Sequence, residues 1–222
     1  MSLSTSSPQA QPENASTVLE IIHQTVRYLQ LQTDVAPDAT AVVEALRQLE
    51  KQQKRAKPAY GYSQLLGTWR LGFVSGTRSD RPRPGATPVK KLGKGRFLPR
   101  LVTIKITYSQ VNEQPDSDKA PNEAPVGQVQ NSVTLGPLQL TLTGPTRFWP
   151  KTDSLGFDFT RLQAQLGPLT LYKGTVRGGE ASAQAFVETS LKDQAFFTFF
   201  WIEEDCIAAR GKGGGLALWT RN

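Results

Sequence analysis

Two stretches decide how this chain folds: Leu65-Leu66-Gly67-Thr68-Trp69-Arg70-Leu71, and Ala195-Phe196-Phe197-Thr198-Phe199-Phe200-Trp201-Ile202. Both are rich in the bulky residues that suit a pleated, half-buried surface, and both read as strands. The second is apolar on both faces. Alternation sends Phe197, Phe199 and Trp201 one way and Phe196, Phe200 and Ile202 the other. A strand with one solvated face would interleave polar residues, so both sides of this one need cover. An acidic turn follows, Glu203-Glu204-Asp205, then Ile207-Ala208-Ala209-Arg210-Gly211, a glycine-rich hairpin, and Leu216-Ala217-Leu218-Trp219-Thr220-Arg221.

The rest of the chain supplies the cover and the partners. Residues 1–16, rich in Ser, Gln and Pro, are expected to form a disordered tail. Thr17-Val18-Leu19-Glu20 has the capping-box pattern of a helix start, and Leu19, Ile22, Val26 and Leu29 continue it at helical spacing. Asp38 is placed to cap a second helix with Val42, Ala45, Leu46 and Leu49 as its stripe, and Pro58 closes a helical segment over 17–57. The two stripes are the expected cover for the doubly apolar strand.

Residues 58–222 read as one β domain. Leu65 to Val74 is its first strand, and residues 76–96 read as a long loop. Between Arg100 and Val111, Val102, Ile104, Ile106 and Tyr108 share one face. Residues 112–125 are a polar excursion. Leu135-Gly136-Pro137-Leu138-Gln139-Leu140 is echoed by Leu166-Gly167-Pro168-Leu169-Thr170-Leu171, and each Gly-Pro is expected to bend the chain where a strand begins. Gly156 to Arg161 alternates aromatic with polar, and Phe186 and Val187 read as a loop or short strand. About eight strand candidates with turn signals between them point to a closed antiparallel barrel, whose interior holds packed side chains or one small apolar ligand.

Composition narrows the functions. One cysteine, Cys206, forbids an intrachain disulfide and fits a reducing compartment. One histidine, His23, excludes a His-rich metal centre. The longest apolar run, Ala195 to Ile202, is far short of the roughly 18–20 residues of a membrane span. The net charge of +7 is uneven: residues 51–100 carry +12 and the remainder −5. Lys51, Lys54, Arg55 and Lys57 sit favourably at the end of the second helix. Arg78, Arg81, Arg83, Lys90, Lys91, Lys94, Arg96 and Arg100 fall in the expected loop. They form either a solvated loop or a contact for an anionic membrane or an acidic protein. Each base near an anionic leaflet contributes about 1 kcal/mol, so four together support reversible docking. Nucleic acid is set aside, because Phe97 is the loop's only stacking aromatic and no nucleic-acid-binding motif accompanies it.

The Gly67-x-Trp69 opening is similar to that of lipocalin-like barrels. Together with the acidic turn, Ile207-x-x-Arg210-Gly211 and Gly213-Gly214-Gly215, it resembles the plastid lipid-associated protein family, also called fibrillins or plastoglobulins, in its cyanobacterial form. Leu65, Gly67, Trp69 and Leu71 match the family's first-strand motif, and Gly93, Gly95, Arg96, Phe97 and Pro99 its basic, glycine-rich stretch. Glu204, Asp205, Ile207, Arg210 and Gly211 match its closing motif. The likeness covers residues 17–222, strongly at both ends and loosely over 110–190; Cys206 stands where the family more often has an aliphatic or charged residue.

The resemblance implies a mainly β fold, a lipocalin-like antiparallel barrel with a pair of N-terminal helices packed on its outside. Gly67 would admit a tight turn, Trp69 would plug the closed end, and Arg210 or Arg221 would stack on the indole. It also implies a non-catalytic protein that binds an apolar metabolite such as a prenylquinone or carotenoid and docks peripherally on the cytoplasmic face of thylakoid membranes. Met1 to Ser16 carries no Lys or Arg, unlike a secretory signal or an Arg-rich transit peptide, which fits the cyanobacterial setting.

The family has no ligand motif to carry over. Alternation nominates Leu71, Phe73, Ile104, Ile106, Leu140, Phe157, Phe159, Leu171 and Phe199 as cavity lining, with plain core packing as the alternative for each. A second function keeps the barrel filled and makes the chain a structural or assembly factor on a photosynthetic membrane complex. A third, a bilin lyase on a similar barrel, has little chemistry behind it. Glu203-Glu204-Asp205 reads as a solvated turn rather than a carboxylate pair. Gly211-Lys212-Gly213-Gly214-Gly215 lacks the Gly-Lys-Ser/Thr ending and following helix of a phosphate loop and reads as a hairpin turn. No catalytic residue, metal or cofactor is expected.

Overall fold

Helix α1 spans Pro12–Leu31 and α2 spans Ala39–Ala56 in the computed structural model, which describes residues 12–31, 35–79, 90–110 and 126–222. The first helix begins five residues ahead of Thr17, so Thr17 to Glu20 lies within it rather than at its cap; residues 1–11 of the expected tail lie outside the described residues. Asp38 does cap α2, accepting the Ala41 N–H at 2.8 Å. Lys57 ends it in the left-handed conformation, φ 50, with Pro58 next in the chain.

After the short helix α3 (Tyr62–Leu65) come eleven strands: β1 (Gly67–Ser79), β2 (Lys90–Phe97), β3 (Val102–Gln110), β4 (Val126–Leu135), β5 (Leu138–Trp149), β6 (Ser154–Phe157), β7 (Arg161–Leu166), β8 (Leu169–Thr175), β9 (Ala195–Ile202), β10 (Cys206–Gly211) and β11 (Leu216–Arg221). Eight of them close an antiparallel barrel in the order β4-β3-β1-β11-β10-β9-β6-β5, with β5 returning to β4. The remaining three extend it. Strand β2 pairs with the far half of β1, and the hairpin β7–β8 pairs with β5. Strand β5 thus serves two parts of one sheet: Thr146–Trp149 pairs with β6 in the barrel wall, and Leu138–Thr143 pairs with β7 beyond it.

Three sequence expectations change. Of the expected loop over 76–96, the described residues 76–79 and 90–96 are strand, because β1 runs on to Ser79 and pairs with β2, Arg78 opposite Lys91 and Val74 opposite Arg96; residues 80–89 lie outside the described residues. The two Gly-Pro pairs do not bend strands as they begin. They are the tips of two-residue hairpins joining β4 to β5 and β7 to β8, with Leu135 opposite Leu138 and Leu166 opposite Leu169. Gly136 (φ 55) and Gly167 (φ 54) take the left-handed first position of these turns, which favours glycine. Phe186 lies in helix α4 (Glu180–Phe186), not in a strand. The polar excursion at 112–125 lies outside the described residues.

The core has two parts. Outside the barrel, Val18, Ile22, Val26, Val42, Leu46 and Leu49 of α1 and α2 pack on Phe73, Phe200, Ala208 and Leu218. Inside it, Trp69, Tyr108, Val129, Phe148, Leu155, Phe199, Ile207 and Trp219 fill the lumen. Strands β10 and β11 are buried almost along their whole length because each lies between the two. Simple alternation fails at two bulges. Between Leu71 and Phe73 the pairing with β11 shifts, so Leu71 packs on the lumen side and Phe73 on the helix side. Between Phe199 and Trp201 the pairing with β10 shifts, so Phe197, Phe199 and Ile202 turn inward while Phe200 and Trp201 lie under the helices. The doubly apolar strand is therefore covered by lumen on one side and helices on the other.

Candidate functional site

The barrel floor is built around Trp69. Its indole is fully buried and donates Nε1–H to the Leu65 carbonyl at 2.7 Å. The Arg221 guanidinium lies over the ring, 3.9 Å from its centroid, a cation–π arrangement fixed further by bonds to the carbonyls of Leu66 (2.7 Å) and Glu204 (3.0 Å). Gly67 sits at φ 109, and a Cβ there would come within 2.6 Å of the Arg221 Nη1. Arg210, the other candidate to cap the indole, is instead held by Glu50 of α2. Its Nε donates to Glu50 Oε1 at 2.8 Å and its Nη2 to Oε2, and Lys54 adds a third bond at 3.0 Å. Burial pushes the Glu50 carboxyl up, but the bonds from Arg210 and Lys54 and their charges outweigh it and hold the group below its usual range. This ion pair ties the second helix to β10.

Above the floor the lumen is occupied by interlocked rings. Phe197 stacks on Phe157 at 5.1 Å and meets Trp219 edge-on at 5.2 Å, and Phe157 meets Phe159 at 5.4 Å. The buried Tyr108 hydroxyl is the exception to this apolar filling. It has no hydrogen-bond partner from the protein, and burial pushes its pKa far up.

The nominated lining residues do not surround one cavity. Ile106 and Phe199 are buried in the lumen, with Leu71, Phe157 and Phe159 packed around them. Phe73 is a correction: the bulge at Gly72 carries it to the outside, beneath the helices. Ile104, Leu140 and Leu171 lie beyond the lumen, on the sheet that continues past the closed part of the barrel.

That sheet is the most informative surface of the molecule. Strands β3, β4, β5, β7 and β8 leave the barrel side by side, and their pairing aligns residues in rows across all five. The outermost row is Val102, Leu135, Leu138, Leu166 and Leu169. The next apolar row is Ile104, Val133, Leu140, Ala164 and Tyr172, and the one after begins with Ile106 and includes Leu142 and Leu162. Ile106 is already in the lumen, so this is the barrel's inner face running on, with no lid among the described residues. Leu135 is 51% exposed, Leu169 60% and Leu140 39%. Leu171 is the extra residue of a bulge in β8 and is also exposed. The opposite face is polar throughout its outer rows, with Thr103, Thr134, Gln139, Gln165 and Thr170, then Lys105, Ser132, Thr141, Gln163 and Lys173. A sheet so sharply two-sided is built to keep one face in water and the other out of it. The signal in the sequence was the repeated Leu-Gly-Pro-Leu, whose two copies the fold sets next to each other.

The basic stretch is divided. Arg81 and Arg83 lie outside the described residues, as do the side chains of Arg78, Lys90 and Lys91. Lys94, Arg96 and Arg100 are exposed, the first two on β2 and the third just before β3. A cleft of about 480 Å³ runs between the end of α2 and β9 and is lined by Lys54, Lys57, Tyr60, Lys151 and Asp153 among others. A second, about 340 Å³, lies on the polar face of β5, β7 and β8. Among the described residues, no group of three or more His, Cys, Asp or Glu is arranged to hold a metal ion, and no helix is long and apolar enough to cross a membrane. Compared with known proteins, the chain matches no family model, no curated protein and no solved structure.

Proposed function

We propose that this chain is a non-catalytic, lipid-associated protein that takes an apolar metabolite onto the open inner face of its barrel and docks peripherally on photosynthetic membranes. The observation that carries the reading is the continuity of that face: the apolar lining of the lumen passes from Ile106 to Ile104 and Leu140 and on to the exposed leucines with no covering element among the described residues. A long, thin apolar molecule lying along these rows would cover them and end against the rings at the barrel mouth. The photosynthetic setting rests on the family resemblance of the two terminal motifs.

The test is native mass spectrometry of the protein isolated from its source, followed by solvent extraction. A stoichiometric adduct of quinone or carotenoid mass is the expected result. Bare protein, together with no quenching of tryptophan emission by a short-chain plastoquinone analogue, overturns the carrier reading. The filled lumen favours a second reading, in which the barrel is a rigid structural or assembly factor for a photosynthetic membrane complex; that reading predicts the bare mass.

A further inference from the structure

We infer that the two Leu-Gly-Pro-Leu hairpin tips form a wedge that inserts into the interfacial layer of an anionic lipid bilayer, so that the open sheet meets the membrane end-on. The inference rests on the peripheral docking proposed above and adds the surface that does it, which is not the basic stretch singled out in the sequence.

Four observations converge on the tips. The first is geometry. The turns Gly136-Pro137 and Gly167-Pro168 lie side by side, because Leu138 of β5 pairs with Leu166 of β7. Leu135, Leu138, Leu166 and Leu169 therefore stand in one row at the end of the sheet, with Val102 completing it and Leu101, 81% exposed, just ahead of it. Second, the tips carry no charge: from Gly127 to Thr146, and again from Leu162 to Tyr172, there is no Asp, Glu, Lys or Arg. Third, the turns are tight, so few backbone groups at the tip are left to desolvate. Fourth, the charge behind the tips has one sign. The strands β3, β4, β5, β7 and β8 contain no acidic residue at all, and Lys105 and Lys173 occupy the same row of the polar face, one step back from the tip.

An uncharged apolar edge backed by lysines on an acid-free sheet matches the layering of a bilayer that carries anionic headgroups: apolar side chains below, bases at headgroup level. It also sets the occupant apart from a second copy of the chain. A second copy would bring the same acid-free strands and the same lysines to the contact, and nothing in them answers the positive charge.

The experiment uses the full chain and vesicles of phosphatidylcholine with or without about one-third phosphatidylglycerol, a proportion that gives a strongly anionic surface. Flotation should recover the protein with the anionic vesicles, less with neutral ones, and less at high salt. The pair Leu138→Glu and Leu169→Glu should lower recovery at least tenfold, while Thr170→Glu on the polar face should lower it much less. Insertion itself is read by a single fluorophore. The native Cys206 is buried, so a Leu138→Cys variant can be labelled with an environment-sensitive dye at the tip and compared with Gln139→Cys on the opposite face. A blue shift on anionic vesicles at 138 and not at 139 is the expected result.

Equal shifts at both positions, flotation unaffected by the two glutamates, or a dimer in solution that those glutamates dissolve would each overturn the inference. The last of these would assign the tips to a second copy. Titration with the plastoquinone analogue keeps the two proposals apart. Quinone binding without flotation sinks the wedge and spares the carrier, and flotation without quinone binding does the reverse.

Discussion

Phe200, Ala208 and Leu218 on the outer face of β9, β10 and β11 are withdrawn from water because α1 and α2 lie across them, whereas no described element lies across Leu135, Leu138 and Leu169 on the inner face of the open sheet. Both surfaces are apolar, both belong to one continuous set of strands, and among the described residues only one is covered. The covered face receives two helices, a close-packed seam and the Glu50–Arg210 clamp. What separates the core from the open face here is not residue type but whether a described element of the same chain returns to it.

Substitutions can break or sharpen this contrast. The largest effect belongs to the floor on which both regions stand. Trp69→Ala removes a fully buried indole, its bond to Leu65 and the seat of Arg221, and should cost about 3–5 kcal/mol in chemical denaturation. A Tm within a degree of the wild type would mean that the ring does not plug the barrel.

Next comes the covered seam. Leu46→Ala, at a position with no solvent exposure between α2 and the barrel, should cost about 2–5 kcal/mol. If the loss were only a few tenths, α2 would be a loosely attached cover and the contrast with the open sheet would collapse.

The clamp is smaller and depends on pH. Glu50→Gln weakens two charge-assisted bonds from Arg210 and should cost about 1.5–3 kcal/mol at neutral pH. Because the folded carboxyl titrates below its ordinary value of 4.5, its contribution is fully present above that value and is lost as pH falls through the lowered one. Stability curves of wild type and variant should therefore converge in acid. Parallel curves down to acid unfolding would show that the ion pair is not what joins α2 to β10.

The smallest effect is expected on the bare face. Leu138→Ser or Leu169→Ser should change stability by no more than about 0.5 kcal/mol, since these side chains already stand partly in water. A loss comparable to that of Leu46→Ala would place the open sheet in the protein's own core.

Much of this was legible in the sequence. The alternation of Val102, Ile104, Ile106 and Tyr108 marked one face of β3, and Asp38 marked the start of α2, because strand and cap patterns are local. The stacking of an arginine on Trp69 followed from a motif shared by barrels, although spacing did not distinguish Arg221 from Arg210. Phe73 and the pair Trp201–Ile202 were assigned to the wrong sides because each follows a bulge, at Gly72 and at Phe200, and a bulge inserts a residue that alternation does not count. The described part of the long basic loop was strand, since Gly93 and Gly95 in β2 mimic loop composition. The open face was invisible for a different reason. Alternation tells which residues share a side of a strand, but not whether anything will lie on that side, and the coverage of β5 depends on β7 and β8 pairing with half of it.

Strand β5 also sets the order in which the molecule would come apart. Its segment Leu138–Thr143 is bonded to β4 and β7, and Thr146–Trp149 to β6, with Thr146 and Arg147 also on β4, so the barrel wall and the open sheet share one shaft. Strand β8 is bonded on one side only and can release its amide protons to solvent by fraying alone; β7 can follow only after β8 has gone. From Thr141 inward, where the row reaches Lys105 and through it β1, the shaft cannot open toward solvent without unzipping β4 and the closed ring. Deuterium uptake should therefore climb in steps from β8 inward and halt at Thr141–Thr143, where local breathing gives way to global unfolding.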